Sequence, residues 1–206
     1  MYQLFTIPGS CSTGIHALLN QLNLPYKMTL RDDVEDYTAL VPTNQVPALR
    51  TPETVLTEGA AIVLYLLANH GEQQLVSEPE FLRWLMFNYA TLHPAYGKLF
   101  ASNGLLPAGP EKVHLMQTLA AKTADLWAIV DQHLAGRETM FGNRITVLDY
   151  LISVYVRWGN VFPELAIPVG QNVLRLVDKV CQLPEFQQAF VRESVTYAIP
   201  DNALAA

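Results

Sequence analysis

The sequence has few charged residues, and this shortage excludes some classes of protein. Only 16% of its 206 residues are charged, whereas 50% are hydrophobic. A chain this apolar can bury a sizeable core, which excludes a disordered or linker-like protein. The net charge is −6 and no basic run occurs. We therefore expect neither nucleic acid nor an anionic membrane as a partner.

The sequence also lacks a cysteine cluster and a long apolar run. Its two cysteines, Cys11 and Cys181, lie far apart, which favours free thiols in a reducing compartment over a disulfide framework. The most apolar stretch, residues 60–68, is much shorter than the roughly 20 residues that a membrane-spanning helix needs. No basic region precedes Pro8-Gly9, so we expect no signal peptide. These features predict a cytoplasmic protein with no membrane span and no metal site.

The first third of the chain mixes strand and helix patterns. Short β-type runs are predicted at residues 2–6, 26–30, 46–51 and 54–57. Between the first two runs, apolar residues recur at the spacing of one helix face: Ile15, Leu18, Leu19 and Leu22. A further helix is predicted at residues 59–70, ending at Gly71.

Strand patterns disappear after residue 78. Helices are predicted at residues 79–101, 110–134, 147–158, 169–182 and 184–192. The polar segment 71–79 separates the two kinds of pattern. We therefore expect an α/β domain at residues 1–72, followed by an all-helical domain at residues 78–206.

Several motifs resemble those of the glutathione transferase superfamily. Gln45-Val46-Pro47-Ala48-Leu49 is similar to the family's V-P-A-L stretch, and Glu58-Gly59-Ala60-Ala61-Ile62 is similar to its E-S-x-A-I stretch. Further on, residues 142–149 resemble its G-x-x-x-[ST]-x-x-D helix cap. The run Pro8-Gly9-Ser10-Cys11-Ser12, and Trp84-Leu85 followed by His93, resemble the bacterial beta class.

The resemblance covers nearly the whole chain and implies both a fold and an activity. The fold would be a thioredoxin-like N-terminal domain with an all-α C-terminal domain. The protein would use glutathione as co-substrate and transfer it to, or reduce, a small apolar electrophile. It would act in detoxification as a homodimer. The alternative is a non-catalytic, glutathione-transferase-like binding or regulatory protein.

Two catalytic residues follow from the resemblance. Cys11 lies at the predicted start of the first helix, where unpaired N–H groups and the helix dipole lower the pKa of a thiol. We expect it to stabilise the glutathione sulfur or form a mixed disulfide with it, and to react faster than Cys181. His93 is expected to tune the sulfur pKa. The alternatives are that Cys11 is a core residue and that His93 is structural.

The resemblance also implies glutathione-binding residues. We expect a cis bond before Pro47, so that the backbone of Val46 pairs with glutathione as with an added strand. Ser10 and Ser12 would cap the helix or contact the glutathione sulfur. Glu58 would meet the γ-glutamyl ammonium, and Gly59 begins the helix whose N–H groups hold the γ-glutamyl carboxylate.

Two departures from the family pattern affect this site. Gly59 stands where the family has a serine hydroxyl, so we expect Gly59→Ser to raise glutathione affinity roughly fivefold. Thr43 and Asn44 stand where the family often has Lys-Gly, which leaves no evident basic partner for the glycine carboxylate of glutathione. Both departures favour the non-catalytic alternative.

A structural motif is predicted in the second half of the chain. Thr146 and Asp149 have the spacing of a capping box. In this motif the side chain of each residue accepts a hydrogen bond from the backbone N–H of the other. We expect this pair to begin a core helix and to serve folding, not catalysis.

Overall fold

The computed structural model describes residues 1–204. Its strands are β1 (Tyr2–Thr6), β2 (Tyr26–Leu30), β3 (Ala48–Arg50) and β4 (Val55–Leu56). They form one mixed sheet in the order β2-β1-β3-β4, in which β1 and β2 run parallel and the other pairs are antiparallel. The first two strands have the predicted bounds, and the last two are shorter than predicted.

The helices follow the predicted order along the chain. They are α1 (Ser12–Gln21), α2 (Tyr37–Leu40), α3 (Gly59–Asn69), α4 (Pro79–Phe87), α5 (His93–Leu105), α6 (Pro110–His133), α7 (Val147–Arg157), α8 (Gln171–Cys181) and α9 (Pro184–Arg192). This arrangement confirms the predicted fold class. Among residues 1–204, no helix is both long enough and apolar enough to cross a membrane.

The helix α1 connects the sheet to the helical part of the chain. It joins the two parallel strands, and it packs against α3, α7 and α9. Its apolar residues Ile15, Leu18 and Leu19 are fully buried in a core shared by both parts. The N-terminus of α1 therefore lies at the junction of the sheet and the helices.

One predicted helix is interrupted. A π-helical turn at Asn88–Leu92 separates α4 from α5. Pro94 follows this turn. Because the ring nitrogen of proline carries no hydrogen, Pro94 cannot donate the α-helical hydrogen bond to the carbonyl four residues earlier. Such a wider turn is common at functional sites, and here it carries Tyr89 and precedes His93.

The start of α7 has the predicted capping box. The Thr146 N–H donates to Asp149 Oδ2 at 2.7 Å, and the Thr146 hydroxyl accepts from the Leu148 N–H at 3.3 Å. The Met140 N–H donates to the second Asp149 oxygen at 2.8 Å. Asp149 is fully buried, and this burial raises the pKa of its carboxyl to about 6. The pair thus anchors the preceding loop as well as the helix.

Candidate functional site

Two adjoining cavities lie beside the N-terminus of α1. They share three lining residues, Cys11, Val46 and His93. The first cavity, of about 320 Å³, is bordered by the loop before β3 and by the start of α3. The second, of about 340 Å³, is bordered by the loop after β1, by α5 and by the segment after α7. Molecules held in the two cavities would meet at the three shared residues.

Cys11 immediately precedes α1 and is only 4% exposed. Its Sγ donates to the Val46 carbonyl oxygen over 3.8 Å. Burial raises the pKa of the Cys11 thiol to about 12, and it outweighs the backbone hydrogen bonds of Cys11 and Ser12 that lower this pKa. The expectation of a lowered pKa is therefore wrong for the protein without ligand. Burial also raises the pKa of Cys181 to about 12, so thiol acidity gives Cys11 no advantage.

A buried carboxylate supports the loop that carries Cys11. Glu193, just after α9, accepts from the Gly9 N–H at 2.7 Å and from the Thr13 hydroxyl at 2.8 Å. Its other oxygen lies 2.9 Å from His16 Nδ1, at ion-pair distance, and both side chains are fully buried. No local pattern in the sequence indicates Glu193 or His16, because a residue after the last helix reaches the first loop only in the folded chain.

The two serines beside Cys11 have different surroundings. Ser10 lines the second cavity, and its hydroxyl accepts from the Ser12 N–H at 3.3 Å, which satisfies a donor at the start of α1. Ser12 is fully buried and lines neither cavity, and its hydroxyl is hydrogen-bonded to Thr6 and Ser10. Ser12 therefore stabilises the loop and is not placed to contact glutathione.

The Val46–Pro47 peptide bond is cis, as predicted. Val46 lies beyond the paired residues of β3, and both Val46 and Pro47 line the first cavity. Within residues 1–204, the Val46 N–H has no hydrogen-bond partner. The N–H of the backbone edge predicted to pair with a ligand is therefore free, whereas its carbonyl accepts from Cys11 Sγ.

Glu58 lies at the start of α3 and lines the first cavity. Its φ is 65°, in the left-handed region that non-glycine residues rarely adopt. Such conformations cost roughly 1–3 kcal/mol and concentrate at functional sites. The Glu58 side chain is exposed and makes no ion pair or hydrogen bond within the described part of the chain. Its carboxylate is therefore available to a ligand.

Gly59 is buried against the ring of Tyr89. A Cβ added to Gly59 would lie 2.2 Å from Tyr89 Cε1 and 2.7 Å from its hydroxyl oxygen. A serine at this position would therefore collide with the tyrosine, and our expectation that Gly59→Ser strengthens binding is wrong. The glycine accommodates a side chain from the π-helical turn, which sequence analysis did not place here.

His93 begins α5 and faces both cavities. Its ring makes edge contacts with Tyr155 and Trp158, at centroid distances of 5.8 Å and 5.3 Å. Burial lowers the pKa of His93, so the imidazole is neutral at pH 7. A neutral ring beside Cys11 can accept a proton from a thiol bound there.

The second cavity is partly aromatic. Phe100 and Trp158 line it, with ring centroids 5.7 Å apart, together with Val161 and Gly97. Among the neighbouring aromatic residues, Tyr96 is a core residue whose hydroxyl accepts from Trp127 Nε1 at 3.0 Å. Phe87 packs on Trp84. Phe100 and Trp158 thus give the second cavity its aromatic wall.

The described residues that line the first cavity include no Lys or Arg. Arg31 pairs with Asp32 and donates to the Asn44 carbonyl at 3.4 Å, outside this cavity. Thr43 and Gln45 line the cavity instead. A ligand carboxylate at this end would therefore be held by neutral donors.

Comparison with known proteins identifies similar chains. The family described as "Glutathione S-transferase, N-terminal domain" matches residues 4–74. Glutathione S-transferase GST-4.5 of Xanthomonas campestris is 32% identical over 168 residues, which are 77% of this chain and 82% of that protein. A glutathione S-transferase of Xylella fastidiosa has the same fold, with a TM-score of 0.82 at 23% identity, covering 95% of this chain and 100% of that one. A sphingomonad glutathione S-transferase complexed with glutathione superposes with a TM-score of 0.77 at 25% identity, covering 94% of this chain and 100% of that one.

Proposed function

Because this chain belongs to the glutathione S-transferase family, we propose that it binds glutathione in the first cavity and transfers it to a small apolar electrophile in the second. The main observation behind this proposal is that the two cavities have three lining residues in common, Cys11, Val46 and His93. Two substrates held there would have their reacting atoms close together, which removes much of the entropic barrier to a bimolecular reaction.

Glutathione would lie along the open edge of the first cavity. The Val46 N–H and carbonyl would pair with its cysteinyl backbone, as in the addition of a short strand. The free Glu58 carboxylate would hold the γ-glutamyl ammonium. The N–H groups at the start of α3 would hold the γ-glutamyl carboxylate, since a helix N-terminus favours anions. Thr43 and Gln45 border the cavity where the glycine carboxylate would lie.

The sulfur of glutathione would lie between Cys11 and His93. With its pKa raised to about 12, Cys11 stays protonated at pH 7. Its S–H would leave the Val46 carbonyl, which then pairs with glutathione, and would donate to the glutathione thiolate instead. The neutral His93 would accept the proton that the glutathione thiol loses. The thiolate then forms a bond to the electrophilic carbon in the second cavity, beside Phe100 and Trp158. The leaving group of the electrophile, such as the chloride of a chlorodinitrobenzene, departs with the electron pair of the bond that breaks.

Three features beyond the site complete the proposal. We infer that the chain acts as a cytoplasmic homodimer in detoxification, and that residues 1–72 and 78–206 are its two domains. Exposed apolar side chains such as Met86, 39% exposed, and Val113, 54% exposed, provide surface that association would bury. Sedimentation should give twice the 23.0 kDa chain mass, and limited proteolysis should cut first between residues 72 and 78.

The decisive experiment combines retention and turnover. The protein should be retained on immobilised glutathione, eluted by free glutathione, and should conjugate glutathione to a chlorodinitrobenzene. Cys11→Ala should be retained but slowed. Retention without turnover of conjugation, peroxide-reduction or disulfide-exchange substrates would favour the non-catalytic alternative. Absence of both retention and turnover would overturn the proposal.

A further inference from the structure

We propose that the Tyr89 hydroxyl replaces the serine hydroxyl missing at residue 59 and binds the γ-glutamyl carboxylate of glutathione. This inference rests on the proposed function, because it assigns one group of that substrate to one side chain. Tyr89 comes from the π-helical turn, far from Gly59 in the sequence, so the pattern around Gly59 gives no sign of it.

The geometry places the phenol where a side chain at residue 59 would be. A Cβ on Gly59 would be 2.2 Å from Tyr89 Cε1, 2.5 Å from Cζ and 2.7 Å from the hydroxyl oxygen. The hydroxyl therefore lies close to the position that a serine hydroxyl would occupy. Both Gly59 and Tyr89 line the first cavity, together with the exposed Glu58. Glycine and tyrosine thus form a complementary pair in which the hydroxyl comes from a different helix.

The Tyr89 hydroxyl has no hydrogen-bond partner within residues 1–204, although it is buried. An unmade hydrogen bond of this kind is unfavourable, and it is rare unless a ligand or water completes it. The start of α3 supplies the other donors that a carboxylate needs, because the first N–H groups of a helix have no partner within the helix. The unpaired hydroxyl and the unpaired N–H groups therefore meet at one anion site.

The hydroxyl is suited to donate. Burial, followed by the nearby Cys11, raises the pKa of Tyr89 well above its ordinary value. The phenol is consequently protonated and uncharged at neutral pH, so it can donate a hydrogen bond to an anion. In the proposed complex Glu58 pairs with the γ-glutamyl ammonium, so the adjacent carboxylate can be bound by neutral donors.

A second buried tyrosine provides a matched control. The Tyr155 hydroxyl is also buried and without a partner in the described chain, and it lines neither cavity. Tyr155→Phe and Tyr89→Phe each remove one unpaired hydroxyl from the core. Only Tyr89→Phe should affect glutathione binding.

The test is calorimetric titration with two ligands, glutathione and an analogue that lacks the γ-glutamyl α-carboxylate. We expect Tyr89→Phe to weaken glutathione binding about tenfold or more, as for a lost hydrogen bond to a charged group. Its affinity for the analogue should equal that of the unchanged protein. Tyr155→Phe should bind both ligands normally. A double variant, Gly59→Ser with Tyr89→Leu, should bind glutathione more tightly than Gly59→Ser alone, because the serine then has room.

Several results would overturn the inference. Equal glutathione affinity of Tyr89→Phe and the unchanged protein would remove the hydroxyl from the site. An equal loss of affinity for glutathione and for the analogue would show that the hydroxyl contacts another part of glutathione or supports the fold. Thermal melting of Tyr89→Phe distinguishes these two cases, because only a role in the fold lowers the melting temperature. If the unchanged protein binds neither ligand, the proposed function itself fails. Failure of the Tyr89 assignment is therefore distinguished from failure of glutathione binding as a whole.

Discussion

The ring of Tyr89 occupies the space in which a side chain at residue 59 would lie, since a Cβ on Gly59 would be 2.2 Å from Tyr89 Cε1. Gly59→Ala should therefore force the ring or α3 to shift, at a cost of about 1–3 kcal/mol of stability, as for other overpacked sites. Thermal and urea unfolding would measure this loss. Gly104→Ala is the control, because a Cβ there meets nothing within 4 Å; it should be neutral or slightly stabilising. Equal stability of Gly59→Ala and the unchanged protein would refute the clash.

Cys11 should be slow to alkylate at neutral pH in the protein without ligand. Burial raises the pKa of its thiol to about 12, so the reactive thiolate is scarce at pH 7. The alkylation rate should increase about tenfold per pH unit towards that pKa. Iodoacetamide labelling in a Cys181→Ala background, followed by mass spectrometry, would measure this. Fast labelling with a plateau near pH 7 would indicate the activated thiolate that the helix position alone predicts.

The conjugation rate should depend on the protonation of His93. Burial lowers the pKa of His93 below its ordinary value of 6.5, so the neutral base persists to more acidic pH. We expect kcat/KM to be maintained as the pH falls to 6.5 and to decrease only below it. His93→Gln should be slower and should lose this acidic limb. A pH profile identical to that of the unchanged protein would exclude His93 as the base.

Removing the helix cap at Thr146 should lower stability without changing the site. Its hydroxyl accepts from the Leu148 N–H and donates to Asp149, and loss of such a cap costs about 1 kcal/mol. Thr146→Ser keeps the hydroxyl and serves as the control. Urea unfolding should separate the two variants, while glutathione affinity stays the same in both. An unchanged unfolding midpoint for Thr146→Ala would contradict the cap assignment.

Glu193→Gln should loosen the loop that carries Cys11. The substitution removes the carboxylate beside His16 and weakens the hydrogen bonds from Gly9 and Thr13. Weakening hydrogen bonds to a buried charged group costs about 1–3 kcal/mol. Glu185→Gln is the control, since Glu185 accepts from Tyr150 in a partly exposed position. We expect Glu193→Gln, and not the control, to lower stability and to weaken glutathione binding. A variant that loses stability but binds glutathione normally would show that the loop does not affect the site.

Local patterns in the sequence determined most of the secondary structure. The bounds of β1, β2 and α9 match the prediction, because alternation, helical spacing and proline stops act within a few residues. The cap of α7 followed from the spacing of Thr146 and Asp149 for the same reason. The motifs around Val46-Pro47 and Glu58 indicated the first cavity, since each is a short segment whose own residues line it.

Long-range packing decided what those motifs could not. Burial, which depends on every element around the N-terminus of α1, turned Cys11 from an expected thiolate into a protonated thiol. The support from Glu193 comes from the far end of the chain, and the ring beside Gly59 comes from a different helix. Local sequence patterns therefore predicted most of the helices and strands and the segments that line the first cavity. The protonation of Cys11 and the donor beside Gly59 could not be predicted in this way, because both depend on contacts between residues far apart in the chain.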